Sequence, residues 1–251
     1  MPRVSGVFSG DGNAAQTVNY SAVENDFMFL IAVNKYGSAP STPSGWTALS
    51  YTATVELGYA NKIWYRRATA SEPTSVTVTT STGNHDVQLV VIKGVDTTTA
   101  FDVTATSRAS AGANKGTAPA ITPTNANTMI LYLVVPNNVG MTPDPGLIKI
   151  ARTGGSAGGK ILSYYTYGQA GSTAVPAHDF TYDATGNKNP TMVTIALRDD
   201  GNADNKGYVY KNNAPATLVS LMGGGGGRTG HLTGTADINI ASTITTLDGV
   251  T

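Results

Sequence analysis

Five short patterns in the chain hold residue types that could do chemistry. Gly154-Gly155-Ser156-Ala157-Gly158 matches the letters of the hydrolase G-x-S-x-G elbow, which works because a strand-to-helix turn lifts the serine into reach of a histidine. Here residues 147–152 and 160–167 on either side both read as strands, so Ser156 is expected in a hairpin loop. Gly223 to Thr229 approaches a phosphate-binding loop. Met222 stands where its first glycine belongs, Arg228 replaces the lysine, and no βαβ unit surrounds it. Asp200, Asn202 and Asp204 have the carboxylate and amide spacing of a calcium loop, but Asn205 takes the glycine position and Lys211 that of the bidentate acid. A solvated turn is the expectation, and calcium is the sole cofactor for which the sequence offers candidate ligands.

The three histidines, His85, His178 and His231, make no ligand pair at helical or hairpin spacing. His85-Asp86 and His178-Asp179 read as corresponding positions just before strands in two halves of the chain, which suggests a structural role rather than acid–base work. The aromatics are more suggestive. Tyr59, Trp64 and Tyr65 in one segment and Tyr164, Tyr165 and Tyr167 in another are the candidate binding or interface residues. Adjacent residues on a strand point to opposite faces, so one of Trp64 and Tyr65, and one of Tyr164 and Tyr165, is expected outside the core or at an interface, against a sugar or a neighbouring subunit.

The elements that must position these residues repeat. Asn25 to Val33 is echoed by Asn127 to Val135, Pro43-Ser44-Gly45-Trp46 by Asp144-Pro145-Gly146-Leu147, the strand through Trp64-Tyr65 by that through Tyr164-Tyr165, and Asp86 to Val91 by Pro190 to Ile195. A period of roughly 100 residues is too long for a solenoid and suits half of a β-sandwich. Strands are predicted at 4–8, 16–20, 27–35, 47–55, 62–68, 75–80 and 86–93, then at 118–122, 129–135, 147–152, 160–167, 179–183 and 191–198. Only 13% of the residues are charged and three are glutamates, so the types that normally coat exposed helices are scarce while threonine abounds. The fold class is therefore all-β: an antiparallel, jelly-roll-like β-sandwich of two pseudo-repeated halves, about 1–106 and 117–198, forming one domain over 1–198. Ser107 to Gly116 reads as a polar connector. Phe29, Ile31, Val33, Val90, Ile92, Leu131, Leu133, Val193 and Ile195 are the predicted core. Residues 199–251 form a β-rich C-terminal extension ending in strand-like runs at 236–240 and 243–247.

Composition also excludes. There are no cysteines, hence no disulfides and no thiolate chemistry. The formal net charge is zero and no basic block interleaves with aromatics, which argues against nucleic acid. The longest apolar run, Phe27 to Val33, is too short to span a bilayer, so no membrane insertion is expected. No apolar h-region follows Met1, so a Sec route is not expected either.

The order Gly45-Trp46-Thr47, Ile63-Trp64-Tyr65-Arg66-Arg67-Ala68, Glu72-Pro73, Val76-Thr77-Val78-Thr79 and Val90-Val91-Ile92-Lys93-Gly94-Val95-Asp96 resembles a β-sandwich family frequent in tailed-bacteriophage genomes. The second half adds Thr122-Pro123 and Ala196-Leu197-Arg198, and the resemblance spans about 1–198. It implies a virion structural or accessory protein and supplies no catalytic residue. The expected function is thus non-enzymatic: a tail-fibre or tail-tip component exposed on the virion and aiding host attachment. The alternative is a capsid decoration protein that stabilises the shell. Expected partners are other virion proteins, host surface glycans and copies of the chain itself, as a trimer joined through 199–251.

Overall fold

Phe27–Lys35 and Met129–Val135, the most continuous apolar runs of the two halves, become the central strands of two five-stranded antiparallel sheets. The computed structural model describes residues 2–12, 15–35, 38–51, 59–79, 84–109, 115–125, 127–135, 141–153, 161–167, 173–182, 190–201, 210–211 and 214–215. In chain order the first half gives β1 (Arg3–Gly12), β2 (Gln16–Asn19), β3 (Phe27–Lys35), β4 (Thr47–Ala48), β5 (Tyr59–Arg67), β6 (Ser75–Val78) and β7 (Asn84–Lys93). The second gives β8 (Thr106–Ala109), β9 (Lys115–Ala118), β10 (Met129–Val135), β11 (Met141–Pro143), β12 (Ile148–Thr153), β13 (Ile161–Tyr167), β14 (His178–Tyr182) and β15 (Thr191–Leu197).

The first large sheet runs β1-β7-β3-β5-β4 and the second β8-β15-β10-β13-β12. Substituting each strand by its counterpart in the other half reproduces the order. Backbone strain matches too. Asn25 and Asn127, which enter β3 and β10, have φ of 71° and 62°, and Gly45 and Gly146, which precede β4 and β12, have φ of 77° and 102°. Such left-handed positions tolerate asparagine or glycine and little else.

The two large sheets face one another across a shared core. Phe29, Ile31, Val33, Val90 and Ile92 come from one sheet and Leu131, Leu133, Val193 and Ile195 from the other, so every predicted core residue is there. The outer face of each large sheet is also covered. A two-stranded sheet, β2-β6, packs Val18, Val76 and Val78 on Met28, Leu30, Trp64 and Leu89. A three-stranded sheet, β11-β14-β9, packs Met141, Phe180 and Ala118 on Ile130, Tyr132, Tyr164 and Met192. Burial on both faces is why β3 and β10 read as unbroken apolar runs instead of alternating ones.

A polar seam crosses the shared core. Ser163 Oγ of β13 donates to Gln88 Oε1 of β7 at 2.7 Å, and Asn61 Nδ2 of β5 donates to Thr191 Oγ1 of β15 at 3.0 Å. Tyr51 in turn donates to Asn61 Oδ1 at 2.7 Å. Polar groups placed between apolar sheets are satisfied in one relative position only, so these bonds fix the register of one half on the other.

Several sequence expectations need correction. Ser107 to Gly116 is not simply a connector, because its first residues belong to β8, the edge strand beside β15, and its last to β9, beside β14. The strand expected at 118–122 ends at Ala118, and Ile121 makes only an isolated bridge to Val175. β11 was not anticipated. His85 and His178 do not correspond: His85 lies within β7 of a large sheet, whereas His178 opens β14 of an outer one. The chain divides into two compact units, Met1–Asn202 and Ala203–Thr251. In the second unit the described residues form a single antiparallel pair, β16 (Tyr210–Lys211) with β17 (Ala214–Pro215). The strand-like runs at 236–240 and 243–247, and Gly223 to Thr229, lie outside the described residues.

Candidate functional site

The segment that leaves β7 does not cross directly to the second half. It returns along the end of β15: Val95 bridges Asp199, Phe101 bridges Leu197, and the Asp96, Asp102 and Arg198 amides donate to the Arg198, Ala196 and Ala100 carbonyls. Between these ties, Asp96 Oδ1 accepts the amides of Thr98 and Thr99, both at 2.8 Å, in the local capping that aspartate favours at turns. The same two amides, followed by Arg198 and Arg67, hold the Asp96 carboxyl below the usual carboxylate range. Thr97, Thr98 and Thr99 are consequently presented to solvent.

Facing them is the end of β5. Tyr65 stacks on Phe27 at 5.8 Å between ring centroids and meets Phe101 edge-on at 4.9 Å. Phe101 also touches Phe27 and Phe29 edge-on. Arg67 donates to the carbonyls of Asn25 at 2.8 Å, Val95 at 3.2 Å and Asp96, and its guanidinium lies 5.2 Å over the Phe27 ring. Burial lowers the Arg67 pKa, with the neighbouring Asp96 opposing that shift. The result is an open cleft of about 560 Å³, bounded by Tyr65, Phe101, Arg66, Arg67, Thr47 and the three threonines.

Arg66 separates this cleft from a smaller hollow of about 260 Å³ beside Trp46, Pro43 and Pro73. Its guanidinium pairs with Glu72 at 2.8 Å and sits 5.7 Å from the Trp46 ring centroid. Glu72, whose side chain is 2% exposed, also accepts the Tyr20 hydroxyl at 2.7 Å and the Thr69 amide at 3.1 Å. Burial, then the bond to Glu72, pushes the Tyr20 hydroxyl pKa well above its ordinary value. Glu72 therefore anchors the corner on which Arg66 rests. Among the described residues the lining is aromatic, hydroxyl-bearing and cationic: Tyr65 and Phe101, threonines of which three are consecutive, and the guanidiniums of Arg66 and Arg67.

Of the residues singled out from sequence, Tyr65 alone of the described aromatics reaches this surface. Trp64 is fully buried in the outer core, its Nε1 donating to Thr42 at 3.0 Å. Tyr164 packs on Phe180 at 5.5 Å in the other outer core, and Tyr165 lies in the shared one. The expectation that one member of each aromatic pair stands outside the core fails for Tyr164 and Tyr165, because each large sheet is covered on both faces. Tyr59 and Tyr167 lie in β5 and β13 with side chains outside the described residues. Ser156 also falls outside them, and the strands on either side, β12 and β13, are antiparallel neighbours.

Asp200 donates its amide to the Gly94 carbonyl at 3.1 Å, while Asn202 and Asp204 lie outside the described residues. Among those residues no cluster of three histidine or carboxylate side chains has metal-ligand geometry. Asp179 serves structure, tying β14 to β9 through Thr117 Oγ1 at 2.6 Å and through Lys115. Sequence reasoning missed Phe101 and the three threonines. A legible signal was present, since Asp96-Thr97-Thr98-Thr99 is an aspartate-initiated turn. No protein-family model, curated protein or solved structure matches this chain.

Proposed function

We propose that the chain is a non-enzymatic structural protein of a tailed-bacteriophage particle, exposed on the virion as a tail-fibre or tail-tip component that contributes to host attachment. The observation that carries this reading is the cleft beside Tyr65. The shared and outer cores enclose the apolar faces of the large sheets, and at the junction of the halves an aromatic edge opens to solvent among threonine hydroxyls. That arrangement suits contact with a polar surface made repeatedly by copies on a particle. The sequence resemblance across 1–198 points the same way. Residues 199–251 are the proposed assembly arm, joining copies into a closed trimer or joining the chain to other virion proteins.

Gold-labelled antibody against this chain, applied to purified particles from a lysate that produces it, tests the proposal. Label at the tail tip or fibres is expected. Label over the shell would replace the attachment reading with that of a decoration protein, and particles without label would overturn both. Truncation after Asn202, where the first compact unit ends, should leave a folded sandwich that no longer joins particles.

A further inference from the structure

We infer that the cleft beside Tyr65 is a saccharide-binding site for neutral hexose or hexosamine units of a cell-surface polysaccharide. This deepens the attachment reading and rests on it. The inference comes from which lining groups are already engaged and which are not. Arg66 is paired with Glu72, and Arg67 spends its donors on three main-chain carbonyls. The two cations are thus largely committed to holding the walls, which disfavours a carboxylate or phosphate as the principal ligand.

The hydroxyls are the opposite case. Among the described residues, the side chains of Tyr65, Thr47, Thr97, Thr98 and Thr99 make no hydrogen bond to the protein, and the four threonines are exposed. A ligand matched to this lining presents several neutral hydroxyls, each able to donate and accept, beside a patch of C–H surface for the aromatic edge. Sugar rings have both. The cleft is also held ready: the Asp96 turn fixes the threonines, and the bridges of Val95 and Phe101 to the strand-β15 end fix the turn. Ordering cost on binding is correspondingly small.

The test uses the full chain and saturation-transfer difference NMR with oligosaccharides of glucose, galactose, N-acetylglucosamine and rhamnose. At least one is expected to bind with a Kd on the order of 1 mM, shifting the Tyr65 ring resonances. Thr98→Trp, at an exposed position that takes no part in the core, should fill the cleft and weaken binding at least about tenfold with unchanged melting temperature. Tyr65→Phe, which keeps the ring packing, should weaken it by a few fold. Failure of the whole panel to bind, or binding indifferent to Thr98→Trp, overturns the inference. So does binding confined to a polyanion such as heparin and abolished by salt, which would make the guanidiniums the determinant. The outcome is independent of particle labelling: a sugar-binding chain absent from particles defeats the attachment reading alone, and a particle-borne chain that binds no sugar defeats the site alone.

Discussion

Tyr65 and Tyr165 occupy the same place in their sheets, Tyr65 opposite Phe29 on β3 and Tyr165 opposite Leu131 on β10, yet one lines a cleft and the other is buried. The difference lies in what surrounds each position. Around Tyr65 the chain leaving β7 swings over to the end of β15 and stands off by the width of the Asp96 turn, whereas Tyr165 pairs with Ile148 of β12 and packs within the shared core. The corners differ in the same spirit. The first half closes its outer corner with the polar Tyr20–Glu72–Arg66 set, and the second with the apolar bridge of Ile121 to Val175. One strand plan carries both. Chemistry enters where a connection departs from the plan, so a search for function in such a fold belongs at the junctions rather than in the repeated strands.

The comparison is broken most severely if the halves do not share a core. Ile31 and Leu133 are fully buried at equivalent positions on β3 and β10, and truncating either to alanine should cost about 2–5 kcal/mol. Both tryptophans, Trp46 and Trp64, lie in the first half, so their fluorescence reports that half while far-UV circular dichroism reports the whole. In urea, Leu133→Ala should move the two midpoints together. Fluorescence that stays native while the dichroism is lost would mean two separate cores.

The corner comes next in size. Glu72→Ala strips an acceptor from the Tyr20 hydroxyl, the Thr69 amide and the Arg66 guanidinium at once, and should cost about 2 kcal/mol, a value discounted for the partial exposure of Arg66. Glu72→Gln keeps one acceptor oxygen, whose two lone pairs can still serve Arg66 and the Thr69 amide, and should cost less. If Glu72→Ala shifts the urea midpoint no more than a surface substitution does, the polar corner is ornament and the halves are closer in kind than they look.

How far the sequence could be read follows from the same physics. Phe27–Lys35 and Met129–Val135 were legible to the residue because each carries seven consecutive apolar residues, Phe27 to Val33 and Met129 to Val135, as burial on both faces favours. β8 and β9 were not, because edge segments such as Thr106-Ser107-Arg108-Ala109 are held by backbone bonds to β15, which side-chain patterns do not record. Alternation told correctly that Trp64 and Tyr65 face opposite ways. It could not tell that an outer sheet of only two strands would bury Trp64 as thoroughly as a core. The cleft was half legible for a related reason: Tyr65 stands out by type, but Phe101 and the threonines become its neighbours only through long-range bridges to Leu197 and Asp199.

Two tyrosine hydroxyls, one fully buried and one partly buried, sharpen the comparison with effects of opposite sign. Tyr132, on β10, is fully buried and its hydroxyl has no hydrogen-bond partner among the described residues, so Tyr132→Phe should stabilise the protein by about 1 kcal/mol. Tyr51 donates to Asn61, and Tyr51→Phe should destabilise by about the same amount. Burial raises the pKa of both hydroxyls above the ordinary value of 10.0. For groups raised in the folded state, stability is intact below pH 10 and falls as pH climbs beyond it, because the unfolded chain ionises first. Urea midpoints measured across that range should decline for the wild type and decline less steeply for Tyr132→Phe. An unchanged slope would mean that Tyr132 ionises as freely in the folded protein as in the unfolded chain.

The smallest effects probe whether the two halves make the same turn. Asn25 and Asn127 each enter a central strand with φ near +65°, at 71° and 62°, where an L-residue other than asparagine, aspartate or glycine is strained by about 1–2 kcal/mol. The bonds at Asn25 come from its main chain, with N–H donating to the Ala68 carbonyl and the carbonyl accepting from Arg67, so a substitution there leaves them in place and alters the backbone preference alone. Asn25→Ala and Asn127→Ala should therefore each cost about 1 kcal/mol, and the two values should agree within about 0.5 kcal/mol. The glycine variants should fall within about 0.5 kcal/mol of wild type, because glycine accepts the left-handed conformation and loses only some unfolded-state entropy. Equal costs at the two sites would show that one local rule, an asparagine set two residues before a doubly covered strand, starts the central strand of each half. A cost at one site and none at the other would mean that the matching φ values arise from different constraints, leaving the halves alike in strand order and unlike in how each strand is begun.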